Sequence, residues 1–167
     1  MPSTIQTFLP MTGDPLALVA AFEGDPETWV RGSRRDGTAD RWLVVLHAGA
    51  LHRTVRLHVG DPWRAGSVRW RSLSWDPVGA GGDTAATDRL LPSFDGELGL
   101  HLGGDRRATL VLDGRYQPPG GRFGSAVDTI ALHRLARSTA TSLVATTAAT
   151  LSARAGSLEQ APSGQAD

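Results

Sequence analysis

Residues 94–116 read FDGELGLHLGGDRRATLVLDGRY. Phe94, Leu98, Leu100 and Leu102 fall on one parity, and after Gly103-Gly104-Asp105 the residues Leu110, Leu112 and Tyr116 share a parity too. Alternation on both sides of such a turn predicts a β-hairpin whose apolar faces lie on one side of a sheet. Gln117-Pro118-Pro119-Gly120-Gly121 stops the second strand. From about Phe123 to Ala153 there is no proline and one early glycine, and a helix over that span would be about 45 Å long. Val127, Ala131, Leu135, Thr139, Leu143 and Thr146 form its apolar stripe, with Ile130 at the edge. Its second half, TATSLVATTAATLSA, consists mostly of small residues with too little bulk to fill a core densely. The expected unit is a single domain over 1–154, followed by a disordered Ser/Gly/Pro/Gln-rich tail over 155–167.

Upstream of the hairpin the pattern is again that of strands. Leu51 to Val59 places Leu51, Arg53, Val55, Leu57 and Val59 on one parity and His52, Thr54, Arg56 and His58 on the other. Arg41 to His47 is more continuously apolar, Val68 to Trp75 mixes Arg with Trp and Leu, and Arg89 to Leu102 reads as a long strand that can bend at Pro92. Gly-Asp-Pro occurs at 13–15, 24–26 and 60–62. In the first two copies Asp suits an N-cap and Pro the first helical position, predicting a short helix over Pro15 to Phe22 and a further turn toward Trp29. The third copy reads as a turn after a strand. Strands and helices are thus segregated, which predicts an α+β fold: a curved antiparallel sheet wrapped around the long C-terminal helix, with short helices after the first strand.

Composition removes many functions. The 167 residues carry 17 basic and 17 acidic groups, and every basic residue is arginine. A net charge of zero supplies no global field for nucleic acid, and neither nucleic-acid binding nor membrane insertion is expected. Cysteine is absent, which excludes disulfides, thiolate nucleophiles and Cys-ligated zinc. The N-terminal MPSTIQTFLPMTGDP lacks the charged and apolar regions of a signal peptide, so a cytoplasmic location is expected.

Motifs for covalent, phosphate-binding or metal-dependent catalysis are missing, and no catalytic residue, metal site or cofactor is assigned. His52 and His58 lie about 20 Å apart on one strand, too far to share an ion, whereas His47 and His52 can meet across the Ala48-Gly49-Ala50 turn. Arg53 falls on the apolar parity of its strand and is a candidate anchor for an anionic or carbonyl oxygen. Tyr116 is a candidate donor or weak acid. Arg69 and Arg71 are expected on the outer sheet face, and Trp42 and Trp70 on the inner one. Asp95, Glu97 and Asp113 are expected to face solvent.

This order, and several phrases, resemble the helix-grip superfamily that contains START lipid-transfer domains, the birch-pollen allergen group and polyketide cyclases. The phrases are Phe22-Glu23-Gly24-Asp25-Pro26 with Trp29, Val68-Arg69-Trp70-Arg71-Ser72-Leu73-Ser74-Trp75, Leu91-Pro92-Ser93-Phe94-Asp95-Gly96-Glu97-Leu98, and Leu112-Asp113-Gly114-Arg115-Tyr116-Gln117-Pro118-Pro119-Gly120 leading to His133-Arg134-Leu135-Ala136-Arg137. The resemblance is closest to small actinobacterial polyketide cyclase/dehydrase-like proteins. It implies a cavity between sheet and helix that holds a small apolar or amphipathic molecule, lipid-like or polyketide-like. Arg53, Trp70, Phe94, Leu98, Leu110, Leu112, Tyr116, Val127 and Ile130 are the expected ligand-binding residues. A polyketide cyclase or aromatase, and an interaction module whose cavity is filled by its own side chains, remain alternatives, and a homodimer is open.

Overall fold

A computed structural model of the chain describes residues 3–30, 32–37, 40–48, 51–78, 92–117 and 126–160. Strand β1 (Ser3–Thr12) leads to helix α1 (Pro15–Glu23). Asp14 caps α1 by accepting the Ala17 N–H at 2.9 Å, with Pro15 in the first turn. Asp25 repeats the device on the 3-10 turn Pro26–Thr28, accepting the Glu27 N–H at 3.0 Å. Then come β2 (Arg34–Arg35), β3 (Arg41–Ala48), β4 (Leu51–Val59), β5 (Trp63–Ala65), β6 (Val68–Pro77), β7 (Ser93–Leu102) and β8 (Arg107–Gln117), and the chain continues into helix α2 (Ala126–Gln160).

The strands form one antiparallel sheet in the order β1-β8-β7-β6-β4-β3-β2, with β5 on the edge of β6. β1 at one end and β3, next to the two-residue β2 at the other, both pack against α2, so the sheet wraps around the helix. The fold is the helix grip that the alternating strands and terminal helix predict. In the β7–β8 hairpin Leu98 faces Leu112 and Leu100 faces Leu110, all fully buried. Its turn places Asp105 and Arg106, rather than a glycine, in the left-handed region, at φ 58° and 60°. Gly96 and Gly114 stand opposite each other, and the ring of Phe94 lies where their side chains would be. Phe94 also stacks on Trp75 at 4.3 Å, and the Trp75 indole N–H donates to the Pro92 carbonyl at 3.1 Å.

Three expectations need correction. The parity of β6 is reversed: Arg71, Leu73 and Trp75 are buried on the inner face, while Trp70 lies on the outer face over Gly99. The inner face at this end of β6 meets the carbonyl-rich end of α1, which a guanidinium satisfies and an apolar ring does not. The buried stripe of α2 is also rotated from the expected one. It runs through Ala136, Thr139, Ala140, Leu143, Val144, Thr147, Ala148, Leu151 and Ala155, so that the expected Thr139 and Leu143 are buried while Leu135 and Thr146 are half-buried, because small residues let the helix approach closely. Finally, α2 continues to Gln160, past the expected end at Ala153. Its last turn is held by Glu159, which accepts the Asp14 N–H at 2.9 Å and pairs with Arg106 at 3.0 Å. The remainder of the expected tail, 161–167, lies outside the described residues.

Candidate functional site

Beyond its pairing with β2 at Trp42 and Leu43, β3 is an edge strand. Val44 and Leu46 turn toward α2, while Val45 and His47 are exposed. Opposite them α2 presents Ser142, Leu143, Thr146 and Thr147, and the small helix side chains leave a partly open cavity of about 340 Å³ bordered by Val30 and Gly32. Its walls are aliphatic with a few hydroxyls, and it reaches round the edge of the sheet at Val45 and His47. Trp29 adjoins Val30, and Trp42 lies two residues before Val44 on the inner parity of β3. Both rings are 1% exposed, and among the described residues neither indole N–H has a hydrogen-bond partner. A buried donor without an acceptor costs about 1–3 kcal/mol.

Tyr116 marks a second locus, on β8. It is buried, and its hydroxyl shares a 3.0 Å hydrogen bond with Nδ1 of His133 on α2. The period-two pattern identified Tyr116. Its partner was hidden, because nothing in the sequence says which helix residue meets the end of β8.

Arg71 is the third unusual group. Its guanidinium is 3% exposed and donates to the carbonyls of Phe22 (2.9 Å), Gly60 (2.9 Å), Glu23 (2.7 Å) and Gly24 (2.7 Å). It lies 5.9 Å from the centroid of each of the Phe22 and Trp29 rings, which themselves stack at 6.1 Å. Burial pulls its pKa down, and the charges of Asp61, Glu23 and Asp25 work against that. The group closes the C-terminal end of α1, where free carbonyls and the helix dipole favour a cation. It is fully occupied by the backbone and so has a structural role.

Six of the nine sequence-derived ligand residues have described side chains. Leu98, Leu110 and Leu112 are sealed in the core, Phe94 and Tyr116 lie at the far end of β7 and β8, and Trp70 is on the opposite face. The backbone register sets Arg53 opposite Leu46, beside the cavity. The side chains of Arg53, Val127 and Ile130 lie outside the described residues. His47 and His52 do meet across β3 and β4, with ring centroids 6.2 Å apart. Among the described residues there is no cluster of three or more potential metal ligands, and no helix is long and apolar enough to cross a membrane.

No protein-family model matches the chain, and no curated protein matches it. Solved structures do resemble it in fold. A conserved protein from Geobacillus kaustophilus is similar with a TM-score of 0.55 at 9% identity, over 89% of this chain and 95% of that one. The Zhui aromatase/cyclase from Streptomyces sp. R1128 is similar with a TM-score of 0.54 at 13% identity, over 99% of this chain and 100% of its own. At these identities the likeness establishes the helix-grip fold and leaves function to the site.

Proposed function

We propose that the protein binds a small apolar or amphipathic molecule, lipid-like or polyketide-like, between its sheet and C-terminal helix. The observation that carries this reading is the 340 Å³ cavity between β3 and the Ser142–Thr147 stretch of α2. Its size is within the range of small-molecule sites, about 300–1,000 Å³. Apolar walls would hold the ligand by burial, at about 25 cal/mol per Å². The lining hydroxyls of Ser142, Thr146 and Thr147 favour a ligand with an oxygen at one end.

Native mass spectrometry of freshly purified protein, before and after denaturation, tests this. An adduct lost on unfolding is expected, as is saturable binding of anilinonaphthalene sulfonate that Thr146→Trp abolishes while the circular dichroism is unchanged. A bare protein mass, together with dye binding that Thr146→Trp leaves intact, would refute the reading.

A second reading, a cyclase- or aromatase-type enzyme, is favoured by one observation. Tyr116 and His133 form a hydrogen-bonded pair at 3.0 Å that could pass a proton to or from an enolisable substrate. One of the similar folds belongs to an aromatase/cyclase. If so, Tyr116→Phe and His133→Ala each abolish turnover of a poly-β-keto thioester and leave dye binding at the cavity intact. Turnover unaffected by both substitutions removes the enzyme reading.

A further inference from the structure

The strand register draws a row of apolar residues across the outer face of the sheet. Phe8 of β1 stands opposite Val111 of β8, Val111 opposite Gly99 of β7, Gly99 opposite Trp70 of β6, and Trp70 opposite Trp63 of β5. Directly opposed residues share a face, so all five lie on the side away from α2. Phe8 is 58% exposed and Trp63 39%. Gly99 makes the row continuous: a Cβ there would meet the Trp70 ring at 2.6 Å, so the absent side chain lets the indole lie flat on the sheet.

The adjacent row is acidic. Glu97 stands directly opposite Asp113, between Ser72 on β6 and Gln6 on β1. Like charges in that position repel, and among the described residues neither carboxylate has an ion-pair partner within 4.0 Å. One row further, Asp95 faces Arg115, leaving three carboxylates against one arginine.

We propose that this face docks a basic amphipathic helix of a partner protein. The dimensions favour that occupant. Four strand spacings of about 4.8 Å give a strip about 19 Å long, which some 13 helical residues span. Its width of one side-chain row suits a helix about 10 Å across. A second copy docked through a two-fold contact would bring the same acidic row, Glu97 and Asp113, against itself, so a second copy fits this face poorly. Apolar residues at i, i+3, i+4 and i+7 would cover the aromatic row, and Lys or Arg on one flank would reach Glu97 and Asp113, relieving their repulsion. The site is on the opposite side of the sheet from the cavity and does not depend on it.

The test is titration of the isotope-labelled full chain with a 14-residue helical peptide carrying Leu on one face and Lys along one flank. A second peptide has Glu in place of each Lys. Saturable amide shifts at Glu97, Gly99, Val111 and Asp113 are expected, with the Lys peptide at least tenfold tighter. The double variant Phe8→Ser/Trp63→Ser should weaken it tenfold or more, and Glu97→Gln/Asp113→Asn should abolish the preference for Lys over Glu. Equal affinity for both peptides, shifts confined to Val44 and Leu143 at the cavity, no binding, or self-association that covers this face in sedimentation would each overturn the proposal.

Discussion

Replacing Arg71 by methionine removes a buried cation from four backbone carbonyls at 2.7–2.9 Å. Hydrogen bonds to a charged group contribute about 1.5–3 kcal/mol each when fully buried, and a stranded acceptor costs about 1–3 kcal/mol. Only the bond to Phe22 is fully buried, and the other three carbonyls are partly reachable by water. The full cost therefore falls on one acceptor and a reduced cost on three, which puts Arg71→Met at about 3–4 kcal/mol. Against a total stability of about 5–15 kcal/mol, that is a large loss. Arg71→Lys keeps the charge but cannot fork to carbonyls on both α1 and Gly60, and should cost about 2 kcal/mol. Urea unfolding followed by circular dichroism is the assay, with an unchanged m-value as the sign that only stability moved. Buried charges are sometimes replaced by apolar residues at no cost. An Arg71→Met protein within 1 kcal/mol of the parent would refute the capping argument.

Glu159 accepts the Asp14 N–H and pairs with Arg106, and these contacts, the backbone bond foremost, depress its pKa. A depressed carboxylate stabilises the fold above its unfolded value of about 4.3 and loses that contribution as pH falls through the folded value. Glu159→Gln should therefore flatten the fall of Tm below about pH 4, measured by thermal melts across pH 2.5–6. At Gly96 an added Cβ would sit 2.3 Å from the Asp113 carbonyl oxygen and 2.6 Å from the Gly114 Cα. Gly96→Ala must therefore push two strands apart, at a cost of about 3 kcal/mol by urea unfolding. Gly156 lies inside α2 with nothing within 4 Å of an added Cβ, so Gly156→Ala should stabilise by about 0.5–1 kcal/mol in the same assay.

Local alternation and turn chemistry were enough to read β4, the β7–β8 hairpin, both Asp-Pro helix starts and the long terminal helix. Side-chain period and capping are short-range, and each is written in neighbouring residues. The candidate site was less legible. Phe94, Leu98, Leu110, Leu112 and Tyr116 were correctly read as one inner face, but inwardness alone cannot separate a sealed core from a cavity wall. That depends on the volume α2 leaves opposite each strand. The helix packs against β1, β8 and β3, and opposite β3 the side chains of Ser142, Thr146 and Thr147 are small enough to leave the cavity.

In β6 an alternating Arg/Trp pattern fits either face equally well by sequence. The choice was made by a distant group, the carbonyl end of α1, nearly fifty residues away along the chain. The Tyr116–His133 pair and the outer row from Phe8 to Trp63 have the same origin, since cross-strand register and helix placement join residues that no local period relates. By itself the sequence determined the long strands from Arg41 onward, the Asp-Pro helix starts and the terminal helix, because backbone sterics and apolar periodicity act over a few residues, whereas the short edge strands β2 and β5 carry too few residues to show a period. Only the tertiary structure decided which face is buried in β6, where the cavity lies, and which polar groups stand without partners, because those depend on contacts between elements far apart in the chain.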